Sequence, residues 1–233
     1  MAGPRFYVLE IGLFGQYRYS WYEVTSKAVY THDGFKCPNC GAATGPMCWQ
    51  PPYEVVLKQP RNVGDFILGA GGCDLLVSER FLHLYEQEQL GGIEEVLPIT
   101  VVRMGTTKAA KLLEPPKLYG LYLCRSLTHL KYEEMGIDWG KPPNPDYCRI
   151  CGPGGGSKGG WWRSRKRVVV DKSSWTGEDI FYAINGPRTI LLSGKASQVI
   201  IDNKLTNAKV IPCEEAEHNF LRPFTQLSQS ISE

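Results

Sequence analysis

Runs of β-branched and aromatic residues, broken by glycine and proline, set the pattern of this chain. Phe6, Tyr7, Val8, Leu9 and Ile11 flank Glu10, and Tyr17, Tyr19, Trp21, Tyr22 and Val24 follow in partial alternation. Such side chains fit a pleated, half-buried surface, so the pattern predicts two strands joined through Gly15 and Gln16. A turn at residues 31–34 and an irregular, proline-containing stretch at 45–52 come next. Residues 64–98 then read as strand, helix, strand. Residues 73–77 form a short buried strand, and Ser78 caps a helix that carries Phe81, Leu82 and Tyr85 at helical spacing. Gly91 and Gly92 are placed to end that helix, and residues 93–98 return as a strand. Beyond it the pattern predicts a short helix over 106–113, stopped by Pro115 and Pro116. A strand over 118–123, a second helix over 127–135, a proline-rich loop at 140–145 and a frayed polar tail from residue 225 complete it.

The strand–helix–strand pattern occurs twice. Phe66 matches Phe181, Gly71 matches Gly186, Leu76 matches Leu191, Ser78 matches Ser193 and Leu90 matches Leu205, each pair 115 positions apart. Val96, Leu97 and Pro98 match Val210, Ile211 and Pro212 at an offset of 114. The expected fold class is therefore α+β: one domain over residues 1–233, built as an internal duplication with related halves of about 1–115 and 116–233. Gly194, Lys195 and Ala196 after Ser193 make a poorer helix start than Glu79 and Arg80 after Ser78, so the second unit is expected to be distorted there.

Composition narrows the function classes. Of the 233 residues, 42% are apolar and 21% charged, the balance of a soluble globular chain. A formal net charge of +2 provides no global field for nucleic acid or an anionic membrane. No stretch reaches the ~18–20 apolar residues of a membrane helix. Glu10 interrupts the first apolar run, which argues against a secretory signal, and Met1, Ala2 and Gly3 do not make a myristoylation site. The expectation is a cytoplasmic protein, and in that reducing setting its eight cysteines do not form a disulfide framework.

Four of those cysteines fall in two C-x-x-C-G motifs. Cys37 and Cys40 precede Gly41; Cys148 and Cys151 precede Gly152. Two thiolates in such a knuckle can reach one ion, and the glycine permits the tight turn that brings backbone N–H groups toward sulfur. Two knuckles supply the four soft ligands of a closed tetrahedral zinc site. One shared ion is one arrangement; separate sites, with Cys48 or His32 completing the first, are the other. A dithiol redox role fits less well, because neither pair opens a helix after a strand. Four thiolates leave no open position on the metal, and the four histidines form no H-E-x-x-H or H-x-E pattern, so Zn2+ is expected to be structural and the chain not to be an enzyme. His83, inside the first helix, reads as a surface or packing residue.

Two further stretches invite a functional reading. The glycine-rich segment 152–160 lacks the glycine before Lys158 and the Ser or Thr after it that a phosphate-binding P-loop needs. Trp161, Trp162, Arg163, Arg165, Lys166 and Arg167 are the candidate partner-binding residues: aromatic faces beside cations hold acidic protein surfaces or stack nucleic-acid bases. The alternative is that the tryptophans pack beside the metal site while the cations are solvated.

The doubled motif, about a hundred residues apart in a chain of this length, resembles the double-CXXCG-motif immunity proteins of myxobacterial Sit toxin systems. The string Asp74, Leu75, Leu76, Val77, Ser78, Glu79, Arg80, Phe81 is similar to the strand-to-helix step of related immunity domains. The resemblance implies a cytoplasmic antidote that binds and occludes a cognate toxin delivered by sibling cells. It maps the family's knuckle cysteines onto Cys37, Cys40, Cys148 and Cys151, and transfers no catalytic or toxin-contacting residue. No membrane or small-molecule partner is implied. The alternative function is a zinc-ribbon nucleic-acid-binding regulator using residues 161–167.

Overall fold

The computed structural model describes residues 3–12, 19–31, 34–58, 62–105, 114–153, 160–186 and 189–219. The expected join at Gly15 and Gln16, His32, the helix expected over 106–113, residues 154–159 of the glycine-rich loop and the tail from 225 lie outside them. The elements in chain order are β1 (Phe6–Ile11), β2 (Trp21–Val24), β3 (Val29–Thr31), β4 (Cys48–Gln50), β5 (Glu54–Lys58), β6 (Phe66–Ile67), β7 (Gly69–Ala70), β8 (Leu75–Ser78), α1 (Glu79–Gln87), β9 (Ile93–Met104) and β10 (Leu118–Ser126). There follow β11 (Asp138–Lys141), β12 (Trp161–Arg165), β13 (Ile180–Ala183), β14 (Ile190–Ser193), α2 (Gly194–Asp202), β15 (Ala208–Pro212) and β16 (His218–Asn219). This is a mixed, sheet-dominated α+β fold.

Among the described residues the main sheet has eleven strands, with a spine of β15-β1-β14-β13-β10-β9-β5-β2-β7, while β8 pairs with both β10 and β6. Alternation along the central strands builds three layers, because successive side chains leave a strand on opposite faces. On β10, Leu121 and Leu123 face α1 and α2 with Phe81, Ala196 and Ile200, whereas Leu118 and Tyr122 face Trp49, Val55 and Leu57. On β1, Leu9 and Ile11 join the helix layer, and Phe6 and Val8 face Leu130, Met135 and Val168. The helices cover one face of the sheet; the segments that carry the two C-x-x-C-G motifs cover the other.

The two strand–helix–strand units have matching local geometry. Ser78 caps α1 by accepting from Phe81 N at 3.2 Å, and Ser193 caps α2 by accepting from Ala196 N at 3.2 Å. Each serine hydroxyl donates to an aspartate, Asp65 and Asp179 respectively. The distortion expected after Ser193 is not found: the caps have φ, ψ of −72°, 158° and −69°, 167°, and both helices have 9 residues. Both helices also end alike, on a left-handed residue that is not glycine, Gln89 (φ 48°) and Lys204 (φ 50°). Gly92 has a different task from the helix termination expected of it. A Cβ there would lie 1.9 Å from Ile180 O, so glycine lets the chain pass against β13.

The strands cross between the units. β10 lies between β8 and β9, with Leu118 opposite Ser78 and Tyr119 opposite Pro98. β1 lies between β14 and β15, with Phe6 opposite Ser193 and Tyr7 opposite Pro212. The helix expected over 127–135 is instead extended chain with one 3-10 turn at Tyr132–Glu134. Buried Asn185 accounts for this. It accepts from Leu130 N at 2.8 Å and donates to Leu130 O at 2.9 Å, taking the backbone groups a helix would use.

Candidate metal centre

Each C-x-x-C-G motif folds into the same tight turn. Gly41 N donates to Cys37 O at 2.9 Å, and Gly152 N donates to Cys148 O at 2.8 Å. The glycines have φ of +69° and +73°, a region that L side chains rarely adopt. They differ in surroundings. A Cβ on Gly41 would meet open space, whereas one on Gly152 would lie 2.6 Å from Asn185 Cβ. The second knuckle therefore rests directly on the residue that shapes the 130 region.

The two turns meet. The four Sγ atoms of Cys37, Cys40, Cys148 and Cys151 all lie within 4.8 Å of one another. Across the meeting point Cys37 Sγ is 3.8 Å from Cys148 Sγ, and Cys40 Sγ is 3.6 Å from Cys151 Sγ. A tetrahedron of sulfurs at ~2.3 Å from a zinc ion has edges of about 3.8 Å, so the donor set fits a four-thiolate centre. Cys37 and Cys151 are buried, Cys148 is half-buried and Cys40 is exposed. Cys48 stands on β4 outside the group.

The thiols are not equivalent. Asn39 Nδ2 donates to Cys148 Sγ at 3.3 Å, and this bond, with backbone N–H groups of the turn, lowers that thiol to about 6. Burial drives the Cys151 thiol well above its ordinary value, and its sulfur neighbours push the same way. Ligation requires thiolates, so the buried Cys151 thiol yields its proton to metal binding less readily than Cys148. Elsewhere burial pushes Cys73, Cys124 and Cys213 up to about 12, which makes them inert packing residues.

A buried arginine stands in each half, and the first of them holds a knuckle loop. Arg125 Nη2 and Nη1 donate to Asp74 Oδ1 and Oδ2 at 2.7 and 2.9 Å, with both side chains nearly fully buried. The same guanidinium donates to Thr44 O at 3.2 Å and lies 4.9 Å from the Phe35 ring, so it pins the loop that carries Cys37 and Cys40. The recognisable sign of this pair was a lone aspartate inside the buried run 73–77. In the other half, Arg165 donates to Thr189 Oγ1 at 2.7 Å and stacks 5.2 Å from the Trp162 ring.

That placement corrects one expectation. Arg165 was grouped with the exposed partner-binding cations, yet it is only 7% exposed. Trp162 is half-buried with its ring edge-on to His218. Trp161 opens β12. Arg163, Lys166 and Arg167 are exposed, and Arg167 Nε donates to Glu134 O at 2.8 Å. Strict alternation would give Arg163 and Arg165 one face of β12; the split instead follows from contacts, because only Arg165 reaches inward to Thr189 Oγ1, Ala216 O and the Trp162 ring. His83 is exposed on α1.

In sequence, the chain matches no family model and no curated protein. No helix among the described residues is long and apolar enough to cross a membrane.

Proposed function

We propose that this chain is a zinc-braced immunity protein that binds a cognate toxin and occludes it, without performing a reaction of its own. The observation that carries the reading is the convergence of both C-x-x-C-G motifs on one group of four sulfurs. A closed S4 shell suits zinc and leaves no position for a substrate, so its role is to brace the fold. The spacing of the motifs and the strand-to-helix string at residues 74–81 support membership in the double-CXXCG immunity family, with a cytoplasmic site of action. Matching caps, helix ends and strand registers support an origin of the two halves by duplication. Binding would cover on the order of 1,600 Å² of the two partners together. The exposed cations Arg163, Lys166 and Arg167 beside Trp162 fit an acidic surface on the toxin.

The test is co-expression with the product of the neighbouring gene, as the candidate toxin. A 1:1 complex and restored growth are expected, together with one zinc per purified chain and a four-sulfur spectrum after cobalt exchange. No complex and no rescue would refute the immunity reading. Salt-sensitive retention of random DNA or RNA in its place would favour the nucleic-acid-binding regulator, for which the same exposed cations speak.

A further inference from the structure

The crossing of β1 and β10 is matched by polar contacts that also run in both directions between the halves. Asp65 Oδ2 accepts from Thr206 N and Thr206 Oγ1, both at 2.8 Å, in the loop after α2. Asp179 Oδ2 accepts from Gly91 N at 2.9 Å, in the loop after α1. Arg80, on α1, donates to Asn203 O at the end of α2, and Lys195, on α2, donates to Gln89 O at the end of α1 at 3.1 Å. Gly91 and Thr206 are 115 positions apart, as are Arg80 and Lys195. Each half gives the other a strand, a contact to the aspartate beside its cap, and a cation on a carbonyl at its helix end.

We infer that neither half is a folding unit, and that the surface each half presents, an open slot between two strands, fits the other half whether it comes from the same chain or from a second copy. Without β10, β8 and β9 would have no strand between them and Leu75, Leu76 and Leu97 would lose their neighbours on that side. Without β1, Leu191, Leu192 and Ile211 would be left in the same position. A slot of unpaired N–H and C=O groups flanked by apolar side chains is an unstable edge that another strand fills. The exchange also decides where the metal centre stands: it takes two sulfurs from each half, so a centre assembled from two chains is as complete as one assembled within a chain. This inference depends neither on the toxin nor on common ancestry of the halves.

The first experiment cuts the full chain after purification, at a protease site inserted between residues 109 and 110. The two pieces should continue to elute together at 1:1, with an unchanged near-UV spectrum. Pieces that separate as folded monomers overturn the claim that neither half folds alone; pieces that unfold as soon as the link is cut overturn the claim that each half fits the other without it. The second experiment mixes two full-length variants, Cys37→Ser/Cys40→Ser and Cys148→Ser/Cys151→Ser, then unfolds and refolds them together at high concentration with Co2+. Neither alone should give the four-thiolate cobalt band, whereas the mixture should give up to half the wild-type band per chain, in a dimer fraction. A mixture that gives no band overturns the second-copy part, while the cut chain tests the first part independently.

Discussion

The strand–helix–strand units and the knuckle-bearing segments obey different rules. The units agree cap for cap, from Ser78 and Ser193 to Gln89 and Lys204. The knuckle segments agree only at the turns themselves. In the first half β2, β5 and β7 extend the main sheet, and a buried ion pair, Asp74 with Arg125, holds the loop. In the second half β11, β12 and β16 form a small sheet of their own. There Thr189 stands 115 positions from Asp74, and Arg165 bonds to its hydroxyl instead of to a carboxylate. The units share a backbone problem, capping a helix and burying a strand, that has one good solution. The knuckle segments need only deliver two sulfurs to a common point, which many chain paths can do.

If the shared point is what joins these divergent segments, removing one sulfur should have the largest effect. Cys151→Ser is expected to abolish stoichiometric metal and cost more than about 4 kcal/mol, the range of metal-site losses; elemental analysis and urea unfolding would read both. Retention of full stability would show that the knuckles are joined by packing alone. Next come the two arginine anchors. Asp74→Ala leaves the Arg125 guanidinium buried without its carboxylate and should cost about 3–5 kcal/mol. Thr189→Ala removes one hydrogen bond to Arg165 and should cost about 1.5–3 kcal/mol. Equal losses would mean that the two halves are anchored alike after all.

The same contrast separates neighbours on β12. Arg165→Glu places a carboxylate in the buried position and should destabilise by at least about 3 kcal/mol, so any loss of partner binding would follow from unfolding. Arg163→Glu, at an exposed position, should stay within about 0.5 kcal/mol of wild type. Under the immunity reading proposed above, a toxin affinity unchanged by Arg163→Glu would remove this surface from the interface. Between these sit the caps: Ser78→Ala and Ser193→Ala should each cost about 1 kcal/mol. Thermal scans giving clearly unequal losses would contradict the equivalence of the units.

What was legible in the sequence divides along the same line. Ser78 and Ser193 could be recognised as caps because a cap is a local device, settled within four residues. The doubled motif was legible because its chemistry demands fixed spacing. The crossing of β1 and β10 was not, since alternation places a strand on a sheet without naming its neighbours. The expected helix at 127–135 failed because its pattern ignored Asn185, more than fifty residues later, which takes the Leu130 backbone. Arg165 failed for a similar reason: within a run of cations, only the tertiary position of Thr189 and Trp162 marks the one that turns inward.

The place of β1 has a consequence for how the polypeptide is made. Its neighbours, β14 and β15, leave the ribosome roughly 180 residues after it, on the order of 10–40 s at ordinary elongation rates. Throughout that interval β1, an apolar strand, lacks both of the strands it pairs with in the folded chain. Nascent chains should therefore depend on a chaperone, or on slow release, until residue 212 has emerged.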